Sequence, residues 1–169
     1  MTSALNHAVY ERSYLESIFL PVGQMLQLDR ITEISAEKVV AEMDVSRHWV
    51  FPLHFPRDPI FPGSMLIEAA GQAVAICGWH AGIRGRPRMG RVTAKFESPV
   101  IREDGKVRVV GSVRQRRCVF SGVVDMFVQD RLVATIEPLV VILPVKSTPP
   151  VADISVGQVA ISLTVTVPV

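Results

Sequence analysis

Apolar residues recur at spacings of three and four between His7 and Leu20, through Val9, Tyr10, Tyr14, Leu15, Ile18 and Phe19, which predicts a short amphipathic helix ended by Pro21. Strand-like patterning follows. Met25 to Ile34 and Lys38 to Val45 read as two strands joined by Ser35, Ala36 and Glu37, with Val39, Ala41 and Met43 alternating against Val40, Glu42 and Asp44. Alternation stops from Ser46 to Phe61, where Pro52, Pro56 and Pro59 exclude regular helix and central strand and stiffen a loop. Pro62 suits a first helical turn. Gly63 to His80 is rich in Ala, Leu, Ile and Met without alternation, so a mostly buried helix is expected, stopping near Gly82 and Gly85. Further strands are predicted over Arg91 to Val100, Lys106 to Cys118, Val119 to Val128 and Leu132 to Leu143, with turns at Glu103-Asp104-Gly105 and Gln129-Asp130.

A single helix can cover only one face of about six strands, so the expected architecture is α+β, one long central helix wrapped by an antiparallel sheet. The sheet's other surface favours a dimer. Residues 1–144 make up this domain. Residues 145–169 are a C-terminal extension, read as an added edge strand or a flexible tail, because Ile161, Leu163, Val165 and Val167 alternate with polar or small residues.

Composition narrows the classes. The 169 residues suffice for one domain with its own core, and 49% hydrophobic against 20% charged residues excludes a disordered chain. A net charge of +2 does not steer a protein to nucleic acid. Arg84-Gly85-Arg86-Pro87-Arg88, with Arg91 close behind, has the look of a minor-groove arm but stands in a predicted turn with no recognition helix, so no nucleic-acid partner is expected. Its competing readings are a solvated turn and a basic rim for an acidic carrier protein, joined by Arg114, Arg116 and Arg117. Glu68 and Gln72 inside the apolar run Pro62 to Gly82 argue against a membrane span. Met1 to Tyr14 lacks the pattern of an export signal, which points to the cytoplasm. Cys77 and Cys118 sit in apolar runs and read as core residues, and neither metal nor cofactor is expected. His7, His48 and His80 read as solvated surface residues.

The chemistry concentrates in His54-Phe55-Pro56-Arg57-Asp58-Pro59-Ile60-Phe61-Pro62-Gly63 and in Glu68 and Gln72 beyond it. A histidine in a proline-stiffened loop, titrating near neutrality, suits proton removal from carbon. Glu68 stands among Leu66, Ile67 and Ala69 on the second helical turn, where desolvation would favour the protonated carboxyl that can donate to a departing hydroxyl. At the helix start, the unpaired backbone N–H groups of Gly63 and Ser64 can accept a thioester carbonyl whose oxygen gains charge as the α-proton leaves. Gly63 allows close approach of that ligand.

These residues resemble the hotdog-fold β-hydroxyacyl-[acyl carrier protein] dehydratases, in the FabZ-like branch with glutamate on the central helix. The similarity runs from Met25-Leu26-Gln27-Leu28-Asp29-Arg30-Ile31 through Val45-Ser46 and the loop to Ile67-Glu68-Ala69-Ala70-Gly71-Gln72-Ala73. It continues more weakly through Ala94-Lys95-Phe96-Glu97-Ser98-Pro99-Val100 to about Ile142. The resemblance implies dehydration of 3-hydroxyacyl thioesters on acyl carrier protein in fatty acid or polyketide-type biosynthesis, with His54 and Glu68 catalytic and Phe55, Pro62, Gly63, Ser64 and Gln72 at the substrate. It also implies a homodimer with sheets joined edge to edge and active sites shared between subunits, with a trimer of dimers as a higher assembly. The phosphopantetheine arm of the carrier would be part of the substrate rather than a cofactor. Leu53 and Arg57 stand where the family often has glycine. Two other classes compete. A hotdog thioesterase needs a water-activating carboxylate but no such loop histidine, and a non-catalytic acyl-thioester binding module would tolerate loss of either side chain.

Overall fold

A computed structural model gives the fold over residues 10–18, 20–143 and 162–166. Its centre is α2, Gly63–His80, whose alanines and small residues Ala69, Ala70, Gly71, Ala73, Ala75, Cys77 and Gly78 let a sheet close tightly around it. Gly78 marks the tightest point. A methyl group there would collide with Ile142 and approach the Phe120 ring to 3.0 Å.

The sheet comprises β1 (Tyr10–Glu11), β2 (Arg30–Ile34), β3 (Lys38–Asp44), β4 (Arg86–Phe96), β5 (Lys106–Arg116), β6 (Val119–Val128), β7 (Arg131–Leu143) and β8 (Ser162–Thr166), in the order β1-β2-β3-β5-β6-β7-β4-β8. All neighbours are antiparallel except β8, which runs parallel to β4 with Ser162 opposite Arg91 and Thr166 opposite Lys95. Inward residues of alternating strands, among them Val39, Ala41, Met43, Val107, Val109, Val124, Met126, Ile136 and Val140, pack with Leu66, Val74 and Ile76 of α2 in one core. The wrapped-helix α+β architecture expected from the pattern is therefore present.

Several expected boundaries move. The helix expected over His7 to Leu20 shrinks to α1, Arg12–Glu16, because Tyr10 and Glu11 pair with Ile31 and Arg30 as an edge strand. His7 and Val9 lie outside the described residues. The first long strand starts at Arg30 rather than Met25, since Gly23–Met25 forms a 3-10 turn. The strand after the helix spans Arg86–Phe96 rather than Arg91 to Val100, so Arg86 and Arg88 belong to β4 and not to a turn. Its pairing with β7, from Arg86 opposite Leu143 onward, overrides the local turn signal of Gly85 and Pro87. Among the described residues the sheet has eight strands where about six were expected, the additions being the two short edges β1 and β8. Apart from β8, the extension after residue 144 lies outside the described residues.

Candidate active site

The loop before α2 is anchored from within. Val50 and Phe51 are buried, and the Val50 carbonyl accepts bonds from the amides of Leu53 and His54, both at 2.9 Å. The Ile60 amide returns to the His54 carbonyl at 3.3 Å, and the Phe61 amide ties the loop's end to Val100 at 2.7 Å. The prolines thus limit a loop that backbone bonds already close. His54 emerges half-buried, its Nδ1 3.0 Å from the Ile60 carbonyl oxygen. A carbonyl only accepts, so this contact assigns the proton to Nδ1 and leaves the Nε2 lone pair available as a base. Leu53 and Phe55, 68% and 58% exposed, flank it with uncovered apolar surface, and the Phe55 ring lies 4.4 Å from the imidazole.

Gln72 organises the helix side. It is 3% exposed, its Oε1 accepts the Gln27 amide at 2.9 Å, and its Nε2 donates to the Met25 carbonyl at 2.7 Å and to Glu68 Oε1 at 2.9 Å. One amide thereby fixes the carboxylate a turn away and ties α2 to the segment before β2. Glu68 itself is half-buried, not enclosed as its apolar sequence neighbours suggested, because its side of the helix opens into a cavity. That cavity, about 310 Å³, is walled by Glu68, Gly71, Gln72 and Ala75 of α2, by Leu20 and Pro21, and by Arg86, Pro87, Arg88 and Met89 of β4. A methyl group at Gly71 would meet the Met89 Cε, the far end of a flexible side chain, at 2.5 Å. Gln72→Leu is expected to cost about 1–3 kcal/mol of stability, because the buried Gln27 amide loses its acceptor, while the Met25 carbonyl keeps only the bond from Gln27 Nε2 at 3.2 Å. Denaturant unfolding of the two proteins measures it.

At the start of α2 the amides of Met65 and Leu66 turn back to the Pro62 carbonyl at 3.0 and 3.3 Å. The amides of Gly63 and Ser64 find no acceptor among the described residues. Pro62 is buried and Ser64 exposed. Gly63 has a packing role that its sequence position did not reveal: a Cβ there would lie 2.7 Å from the Phe96 ring, which covers the helix start.

Within one chain the structure joins Glu68 and Gln72 in one cavity and sets Gly63 and Ser64 at the helix start before them. It does not bring His54 or Phe55 to the Glu68 cavity, none of whose walls comes from the loop over residues 46–62. Sequence reasoning missed Gln27 and Met25, whose backbone groups hold Gln72, because a backbone donor or acceptor carries no mark in the sequence. It also missed Arg86 and Arg88 as cavity walls, because it placed them in a turn.

The remaining reactive groups are structural. Burial pushes the Cys77 thiol up to about 12, so it stays protonated and inert. His48 is half-buried rather than solvated, edge-on to Phe61 at 4.9 Å with the Val50 amide donating to its Nδ1 at 3.3 Å, and burial lowers its pKa against an opposing pull from Asp29. His80 is exposed and 3.1 Å from the Tyr10 hydroxyl. A larger hollow of about 880 Å³ lies against Ser112, Arg114, Glu137 and their neighbours and has no wall from α2 or the His54 loop. Among the described residues no cluster of His, Cys, Asp and Glu could hold a metal, and no helix is long and apolar enough to cross a membrane.

Comparison with known proteins gives concordant results. Residues 20–137 match the FabA-like domain family. A 3-hydroxyacyl-[acyl-carrier-protein] dehydratase FabZ from Syntrophobacter fumaroxidans is 32% identical over 127 residues, covering 72% of this chain and 86% of that protein. Among solved structures, the dehydratase heterocomplex ApeI:P from Xenorhabdus doucetiae superposes with a TM-score of 0.62 at 17% identity, over 75% of this chain and 90% of that one. The thioesterase HI1161 from Haemophilus influenzae superposes at 0.55 with 15% identity, over 71% and 80% of the two chains. These two likenesses carry the fold alone, which serves more than one chemistry.

Proposed function

Because the chain belongs to the FabA-like family, we propose that it dehydrates 3-hydroxyacyl thioesters carried on acyl carrier protein to trans-2-enoyl thioesters, in fatty acid or polyketide-type biosynthesis. The observation that carries this reading is the matched pair of held groups: a carboxyl group fixed by Gln72 at a ligand-sized cavity, and an imidazole whose Nδ1 contact with Ile60 leaves Nε2 as the base.

The reaction follows from these positions. The thioester carbonyl rests on the amides of Gly63 and Ser64 at the positive end of α2. His54 Nε2 removes the proton from C2, and the electron pair of that C–H bond forms the C2–C3 double bond. The C3–O bond breaks as Glu68, in its acid form, gives its proton to the hydroxyl, which leaves as water. Proton exchange with solvent then returns His54 to the base and Glu68 to the acid. Since no residue of the His54 loop reaches the Glu68 cavity within one chain, the pair converges between subunits, His54 of one protomer with the partner's Glu68. Exposed Leu53 and Phe55 supply the apolar surface such a contact would cover. Arg114, Arg116 and Arg117, all exposed around the β5–β6 turn, offer the basic rim an acidic carrier would meet.

The test is a panel of 3-hydroxyacyl carrier thioesters from short to long, followed by mass for loss of water and by a thiol reagent for hydrolysis. Enoyl product without free thiol is the expected result. Thiol release in place of enoyl product would make the protein a thioesterase, and binding without turnover would make it a carrier-binding module; either outcome overturns the proposal.

A further inference from the structure

The cavity beside Glu68 adjoins a second, much smaller hollow. Leu20, Ala75 and Pro87 wall both, and Ile18, Ile76, Trp79, Ile83 and Ile142 complete the second one. Its space is only about 10 Å³, and every side chain around it is apolar or aromatic. β4 runs antiparallel to α2 in space, with Phe96 against Gly63 and Met89 against Gly71, so Pro87 stands further along, where the two hollows meet. On α2 itself Gly71, Ala75 and Trp79 follow one another at intervals of four, which sets them in one row along the helix. The first two are small and leave room, and the third closes it. Trp79 is also held in place. Its Nε1 donates to the Tyr14 hydroxyl at 3.2 Å, and Arg84 lies over its ring at 3.8 Å while donating to its carbonyl at 2.6 Å.

The direction of a bound substrate decides what meets this closed end. With the carbonyl at Gly63 and the C3 hydroxyl at Glu68, the acyl chain beyond C3 runs along Gly71 and Ala75 toward Trp79. The helix rises about 10 Å from Glu68 to Ala75. Side chains on a helix lean toward its N-terminus, so the indole of Trp79 closes the path near the level of Ala75 rather than a full turn later. Carbon–carbon bonds of about 1.5 Å advance an extended chain by about 1.25 Å per carbon, so about eight carbons follow C3 before the wall is met. Each methylene up to that point leaves water for an apolar surface. The next has no space to enter.

We propose that Trp79, with Ile18 and Ile83 beside it, is the stop that limits this site to methyl-ended 3-hydroxyacyl chains of about ten to twelve carbons. The limit rests on the dehydratase reading for the orientation of the chain. Its test follows dehydration of 3-hydroxyacyl-pantetheines of four, ten and fourteen carbons by the full-length wild type, W79A and A75V. The wild type should prefer the ten-carbon chain to the fourteen-carbon chain by at least about tenfold in kcat/KM. W79A should erase most of that preference by opening the end. A75V, which narrows the passage short of the wall, should instead lower the ten-carbon chain against the four-carbon chain. Because each reading is a ratio within one protein, a variant that is merely less stable does not imitate it, and the wild-type limit stands or falls without either variant. Fourteen carbons accepted as readily as ten by the wild type, or ratios that neither substitution moves, overturn the assignment. Calorimetry with the unreactive decanoyl- and tetradecanoyl-pantetheines reads the same limit without turnover. A limit in binding that W79A lifts, with no hydroxyacyl chain dehydrated, supports the stop and sinks the dehydratase reading instead.

Discussion

His54→Ala and Glu68→Gln each lower dehydration of 3-hydroxyacyl carrier thioesters, and hydration of the crotonyl thioester in reverse, by roughly 10²- to 10⁴-fold in kcat. The loss is expected in turnover because, in the proposed mechanism, each side chain handles a proton. It should leave folding nearly intact. His54 sits half-buried in a loop closed by backbone bonds that the substitution does not touch, to Val50 and from Ile60. In Glu68→Gln the new amide oxygen still accepts from Gln72 Nε2, so the anchoring of α2 survives while the acidic proton is gone. Steady-state kinetics beside circular dichroism melting separates the two effects. Near-normal turnover in either variant would remove that residue from the mechanism.

A second large effect is recovery on mixing. Each inactive variant retains what the other lacks, so a dimer of one His54→Ala chain and one Glu68→Gln chain contains one intact site and one doubly defective site. Random exchange makes about half of the dimers mixed, and specific activity should return to about a quarter of wild type. Neither variant alone should approach that value. Subunit exchange is confirmed independently by mass spectrometry of differently tagged chains, and absence of recovery after confirmed exchange would confine the reaction to one chain.

Periodicity made the central helix and most of the strands legible. Gly63 to His80 could be bounded from its composition because Pro62 starts the helix and glycines follow it, and the observed α2 has those ends. Edges were harder, since a strand's existence depends on its neighbour more than on its own residues. Tyr10 and Glu11 carry a helical pattern yet pair with β2, and Arg86 to Met89 look like a turn yet pair with β7. At the site, the sequence marked His54, Glu68 and Gln72 by spacing. Spacing alone could not show that the first lies apart from the other two in one chain, which only the family resemblance implied, nor that Gly63 accommodates the Phe96 ring, because both are facts of packing between distant segments. The half-exposure of Glu68 has the same origin: its apolar sequence neighbours point elsewhere on the helix.

The parallel pairing of Ser162–Thr166 with β4 bears on how copies of this chain can meet. Among the described residues, one end of the sheet is a two-residue strand, Tyr10–Glu11, and two residues are too few to template a stable junction. At the other end, the row of backbone donors and acceptors from Arg91 to Lys95 is already occupied by the chain's own C-terminal segment. Any subunit joining there must take over those bonds from the tail. Release of the tail and arrival of a second chain are then a like-for-like exchange, in which the backbone bonds surrendered are replaced by equivalent ones and the balance is set by concentration.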